Sequence, residues 1–207
     1  MIKRKLRLQV IRIVLILSVI FLMYNAYTKM EPREVVVKDY MPKKPMVKIF
    51  DGGFENAGYI EIIDEIEGEF YQKKTIDSGT MGVAVYQVNE KEYRLVYRNP
   101  EVSKFKENYT EEKRNSNLIL LRIPMKKGVS WINTDNSTYK ILSTDEKMEI
   151  QGEEVEVIKL RYRKDGYEYY IYMGKGLGIV GMDTEIGNSR LREVSYDVKK
   201  YLETTNN

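Results

Sequence analysis

The stretch Val155-Glu-Val-Ile-Lys-Leu-Arg-Tyr-Arg-Lys164, then Asp165-Gly166, then Tyr167-Glu-Tyr-Tyr-Ile-Tyr-Met173 decides the fold class. Two runs of alternating apolar and polar residues flank Asp-Gly, the favoured pair for a two-residue type I′ turn, because both positions need a positive φ. With Lys164 opposite Tyr167, the ladder pairs Ile158 with Met173, Leu160 with Ile171 and Tyr162 with Tyr169 on one apolar face. The other face pairs Arg163 with Glu168, Arg161 with Tyr170 and Lys159 with Tyr172, a charge pair and two cation–π contacts. One face is core and the other is wet, as in an antiparallel sheet.

The same pattern extends in both directions. Asn89 to Glu92 turns a second hairpin that matches Val88, Tyr86 and Ala84 with Tyr93, Leu95 and Tyr97. Short segments rich in Tyr, Val and Ile predict further strands at 58–66, 69–76, 81–88, 93–98, 118–123, 137–143, 147–150, 155–164, 167–173, 178–182 and 191–196. Only 101–114 reads as partly helical. So many strands with so little helix must curl or pack on one another to hide an apolar face. The expectation is a mainly β fold: a curved antiparallel sheet, half-barrel or sandwich-like domain, preceded by a single N-terminal transmembrane helix.

That helix is read from Ile13-Val-Leu-Ile-Leu-Ser-Val-Ile-Phe-Leu-Met-Tyr24, preceded by Lys3, Arg4, Lys5, Arg7 and Arg12. A positive flank before an apolar run stays in the cytoplasm and the following chain is translocated. Signal-peptide cleavage wants small residues before the cut, and Tyr24-Asn25-Ala26 offers a bulky Tyr there, which favours retention as an anchor. The run is short for a bilayer, but flanking residues extend it and Arg12 can snorkel. The expected organisation is a cytoplasmic basic end at 1–12, a signal-anchor at 13–27, an extracytoplasmic linker at 28–47 with Pro32, Pro42 and Pro45, a β-domain at 48–200 and a tail at 201–207. The expected location is a bacterial plasma membrane, single-pass, with the C-terminal domain outside.

Composition narrows the chemistry. The chain of 207 residues carries a formal charge of +3, but the five basic residues before Ile13 supply +5, so the remainder is net −2. A nearly neutral exported part lacks the basic face that nucleic acid requires, and no nucleic-acid partner is expected. There is no Cys and no His. Thiolate nucleophiles, disulfides, zinc fingers, His-based metalloprotease sites and Ser-His-Asp arrangements are excluded, leaving carboxylates, Lys, Tyr or a hard metal bound by oxygen.

Three segments carry a family resemblance: Pro124-Met-Lys-Lys-Gly128-Val-Ser-Trp131, the strand beginning at Glu153, and Tyr169-Tyr-Ile-Tyr-Met-Gly-Lys-Gly-Leu-Gly-Ile-Val180. Gly52-Gly-Phe-Glu-Asn-Ala-Gly-Tyr59 opens the same region. Together they resemble a recurrent β-domain of exported proteins and lipoproteins of Gram-positive bacteria, over most of 49–182. The resemblance implies a fold and a place at the cell surface, and it implies no reaction. This chain has no lipobox cysteine, so its attachment would run through the apolar segment.

The remaining motifs weigh against catalysis. Gly176-Leu-Gly178-Ile-Val-Gly181 with Asp197 matches a dinucleotide fingerprint in spacing, but the following residues have no helical period to place a dipole at a pyrophosphate. It reads as a glycine-relieved bend. Asp64, Glu65, Glu67 and Glu69 are dense, yet side chains along a strand alternate in direction and need not converge. No catalytic, cofactor or metal residues are named. Seventeen Tyr and one Trp mostly serve packing, and Tyr59, Trp131, Tyr139, Tyr170 and Tyr172 are the candidates for a ligand or partner surface. The expected role is non-catalytic binding of a cell-envelope protein, lipid or glycan. A carboxylate-based wall hydrolase would instead need two converging acids, and a lipid or lipoprotein carrier an unfilled concavity.

Overall fold

A computed structural model describes residues 15–24, 35–52, 58–105 and 107–205. Residues 15–24 form helix α1, with apolar side chains such as Leu17, Phe21 and Leu22 exposed. Among the described residues no helix is long and apolar enough to cross a membrane. The basic end at 1–12 and the flanks of the expected anchor at 13–14 and 25–27 lie outside the described residues.

From Val36 onward the chain forms one compact unit of twelve antiparallel strands. In chain order these are β1 (Met46–Asp51), β2 (Tyr59–Glu67), β3 (Phe70–Asp77), β4 (Thr80–Val88), β5 (Glu92–Asn99), β6 (Leu118–Arg122), β7 (Ser130–Ile132), β8 (Thr138–Ile150), β9 (Glu153–Lys164), β10 (Tyr167–Gly174), β11 (Gly178–Thr184) and β12 (Gly187–Ser195). The spatial order β6-β5-β4-β3-β2-β1-β12-β11-β10-β9-β8-β7 describes two six-stranded meanders joined where β1 pairs with β12. A short helix, α2 (Val198–Thr205), closes the chain.

Local chemistry sets these hairpins. Ser78-Gly79, Gln151-Gly152 and Asp165-Gly166 all occupy positive φ in two-residue connections, the geometry that matches the twist of the flanking strands. The β9–β10 register is the one derived above, from Lys164 opposite Tyr167 to Ile158 opposite Met173. The β4–β5 hairpin departs from it. Val88 faces Tyr93 and Tyr86 faces Leu95, but a bulge at Val96 puts Arg98 opposite Ala84 and turns Tyr97 toward Val85. The bulge has a tertiary cause: the Val96 carbonyl accepts from Asn115 and Ser116 N–H groups, and Tyr97 stacks on Tyr109 of the covering loop 100–117.

Several expected boundaries change. Two predicted strands at 137–143 and 147–150 are one bulged strand, β8. β1 and the three-residue β7 had no predicted counterpart, and 101–114 is irregular rather than helical among its described residues. The chain also joins the domain earlier than a linker over 28–47 would allow. Val37, Tyr40, Met41 and Met46 are buried, and Val37–Tyr40 forms a 3-10 turn.

The sheet curls so that its two ends meet. One core cluster joins Tyr86, Val88, Tyr93, Leu95 and Leu121 from β4–β6 to Trp131, Tyr139, Ile141, Ile158, Leu160, Ile171 and Met173 from β7–β10. An aromatic row crosses four strands within it. Trp131 stacks on Tyr139 at 5.6 Å, Tyr139 meets Tyr162 edge-on at 5.1 Å, and Tyr162 stacks on Tyr169 at 4.3 Å. No ladder joins β6 to β7. Instead the Trp131 Nε1–H donates to the Ile119 carbonyl at 2.8 Å, and the Asn133 carboxamide accepts from the Ile119 N–H at 2.8 Å. The curved sheet is thus unclosed in its backbone pairing and bridged by side chains.

One end of the curl is crossed by the strap Val36–Met41. The Val37 N–H donates to the Glu90 carbonyl in the β4–β5 turn, and the Gly176 N–H in the β10–β11 turn donates to the Asp39 carbonyl. Val37, Tyr40 and Met41 enter the core between these two pins.

Candidate functional site

Besides the buried pair Lys74 and Asp64, the described residues bury a larger charged cluster, built by register. Lys48 on β1 lies directly opposite Glu61 on β2, and Lys73 on β3 sits two residues from Thr75, the direct partner of Glu61. All three side chains therefore converge across adjacent strands. The Lys73 ammonium donates to Glu61 Oε1 at 2.5 Å. The Lys48 ammonium lies 2.7 Å from Glu61 Oε2 and donates to the Ile179 carbonyl at 2.8 Å. Lys48 and Glu61 are almost wholly buried.

Burial alone would raise the Glu61 pKa, but Lys48 and Lys73 outweigh it and hold the carboxyl at about 2. Burial pushes Lys48 below its ordinary value, with Glu61 opposing. Lys73 is raised, because its bond to Glu61 outweighs the burial that lowers it. Tyr59 and Tyr93 are raised by burial, so both remain neutral hydroxyls. The cluster borders a cavity of about 20 Å³ roofed by Met41 and Pro42 of the incoming chain. That is room for one water-sized body. A carboxyl held ionised in so small a space is an internal ion triad and makes a poor general acid at neutral pH.

The five aromatic candidates fall into different environments. Trp131 and Tyr139 are core residues of the aromatic row. Tyr59 stacks on Phe50 at 4.4 Å. Tyr172 donates to Asp183 Oδ2 at 2.7 Å, with Arg190 over its ring at 4.9 Å. Tyr170 donates to Glu168 at 2.8 Å, and Lys159 lies 5.2 Å from the rings of both Tyr170 and Tyr172. The cation over Tyr170 is thus Lys159, where the sequence pointed to Arg161. Arg163 and Glu168 form the expected ion pair.

The acidic run does not converge. Asp64 is paired with Lys74 and accepts from Gln72 at 2.8 Å, and among the described residues no cluster of acidic side chains is arranged to hold a metal ion. Gly178–Thr184 is strand β11, and Gly176 serves the turn that pins the strap.

Sequence reasoning missed two features. A lone charge inside an apolar run was the available signal for Lys48 and Glu61, in Val47-Lys-Ile-Phe50 and Ile60-Glu-Ile-Ile63. The second is a set of large apolar side chains at strand ends or in the turns beside them: Ile132 is 73% exposed, Tyr167 72% and Ile186 88%. The meander places all three at one end of the sheet, opposite the end where the chain enters β1 at Met46. An apolar residue inside a polar turn, as in Thr184-Glu-Ile-Gly187, was the sign. No protein-family model matches this chain, and no curated protein or solved structure matches it either.

Proposed function

We propose that this chain is a non-catalytic binding domain, held outside a bacterial plasma membrane by its N-terminal apolar segment, and that it recognises a protein of the cell envelope. The observation that carries the reading is the trio Ile132, Tyr167 and Ile186, exposed together at the end of the sheet remote from Met46. The three lie on successive hairpin ends at one edge of the sheet, and exposed apolar surface at such a place marks a contact site where it is contiguous. The small cavity beside Lys48 and Glu61, about 20 Å³, gives no room there for a lipid chain, which supports the same reading over an internal lipid carrier.

Two measurements test it. The chain has no Cys, so single cysteines at Asp165 and Lys5 report topology directly. In intact cells a membrane-impermeant maleimide labels Asp165→Cys and not Lys5→Cys, and the reverse pattern overturns the location. A photo-crosslinking residue at Tyr167 captures a discrete protein, and the combined Ile132→Ser and Ile186→Ser changes abolish the capture without altering thermal stability. Capture that survives those changes, or native mass spectra carrying a lipid or glycan adduct, overturns the protein-partner reading.

A further inference from the structure

The triad of Lys48, Glu61 and Lys73 does not balance its own charge. Two ammoniums face one carboxylate, and among the described residues these three are the charged ones that line the cavity of about 20 Å³. Lys74, the next residue along β3, is paired with Asp64 and supplies no counter-charge. Lys48 and Glu61 are buried and Lys73 is mostly so, its side chain 18% exposed. Buried charge is tolerated where it is paired, and here one positive charge is left over.

Hydrogen-bond capacity is left over as well. An ammonium carries three N–H donors. Lys48 directs one toward Glu61 and one to the Ile179 carbonyl, and Lys73 directs one to Glu61. Tyr86 and Tyr93 also line the cavity and are hydrogen-bonded to each other. That bond uses one of their two O–H hydrogens, and burial keeps the Tyr93 hydroxyl protonated. The cavity is thus walled by ammonium and hydroxyl donors, while both oxygens of its one carboxylate are already engaged. A water fits such a space but brings no charge. A halide-sized anion brings the missing charge and accepts hydrogen bonds from every side, whereas phosphate is too large for about 20 Å³. The flexible Met41 side chain in the roof can adjust to an ion slightly larger than water.

We propose that the cavity beneath Met41 binds a single halide-sized anion such as chloride, held by the Lys48 and Lys73 ammoniums with the Tyr86 and Tyr93 pair as hydroxyl donor. The ion makes the buried cluster neutral and ties the strap at Met41 to strands β1 to β3. It is a structural ligand, and it stabilises the folded domain by mass action.

The test uses the purified full chain in detergent at fixed ionic strength, with chloride exchanged stepwise for gluconate, which is too large to enter. The expected result is a Tm that rises saturably with chloride, together with excess broadening of the chloride NMR resonance that bromide competes away. Lys48→Met removes the surplus charge and abolishes both effects. Should that variant fail to fold, Tyr93→Phe keeps the ring, removes a hydroxyl donor and raises the chloride concentration at half-effect several-fold. A Tm and a line width indifferent to chloride overturn the site, as does a chloride response that either variant retains unchanged.

Discussion

The Asn133 carboxamide engages both backbone polar groups of Ile119, accepting from its N–H at 2.8 Å and donating to its carbonyl at 3.1 Å. A side chain thereby fills the place of a strand residue at the seam between β6 and β7. Asn133→Ala leaves the Ile119 N–H without its partner, at a cost of about 2–3 kcal/mol. Thermal unfolding should shift down accordingly, and hydrogen exchange at the Ile119 amide should accelerate. An unchanged exchange rate would show that the seam closes by other means.

Trp131 separates packing from hydrogen bonding at the same seam. Trp131→Phe keeps a ring over Tyr139 and loses the donor to Ile119, so it should cost about 1 kcal/mol in hydrogen bonding plus the lost ring volume. Trp131→Ala should cost about 3–5 kcal/mol. Chemical denaturation of both variants checks the ordering, and equal losses would refute it.

Glu61 gives the domain an acid limit. Its folded pKa of about 2 lies below the unfolded carboxyl value, so its contribution is fully present above about pH 5 and fades as pH falls toward 2. The shift corresponds to about 3 kcal/mol. Glu61→Gln should flatten that part of the stability profile. At neutral pH the same variant should lose about 3–5 kcal/mol, because two buried ammoniums then face no carboxylate. A wild-type profile that stays level from pH 5 to 2 would contradict the triad.

Two glycines should respond differently to alanine. Gly166 has φ +86° with open space around a Cβ, so Gly166→Ala should cost about 1–2 kcal/mol from backbone strain alone. Gly58 has φ +81° and a Cβ there would stand 2.2 Å from the Phe50 carbonyl oxygen. Backbone cannot yield as a side-chain tip does, so Gly58→Ala should be the more damaging change by Tm. The opposite order would refute the close approach.

Much of the fold was legible where local chemistry settles it. The β9–β10 register followed from Asp165-Gly166 and the alternation beside it, because a two-residue turn leaves one register that keeps the apolar set on one face. The β4–β5 register drifted after two pairs, since the bulge at Val96 answers to Tyr109 and Asn115 of a distant loop. β7 was illegible because three residues carry too little alternation. The five aromatic candidates were chosen by residue type, and type does not separate Trp131, which packs inward, from Tyr170, which lies beneath Lys159.

By itself the sequence determined the antiparallel β class, most hairpins, the absence of thiol and imidazole chemistry and an apolar N-terminal run after five cations. These follow from turn geometry, alternation and composition, all local properties. Only the tertiary structure decided that β1 pairs with β12, that Trp131 and Asn133 bridge the ends of the sheet, that Lys48 and Lys73 share Glu61, and that Val36–Met41 enters the core. The β1–β12 pairing joins opposite ends of the domain, and the shorter-range contacts cross between segments with no turn signal to fix their register, so their pairing is set by how the whole sheet curls to bury its apolar face.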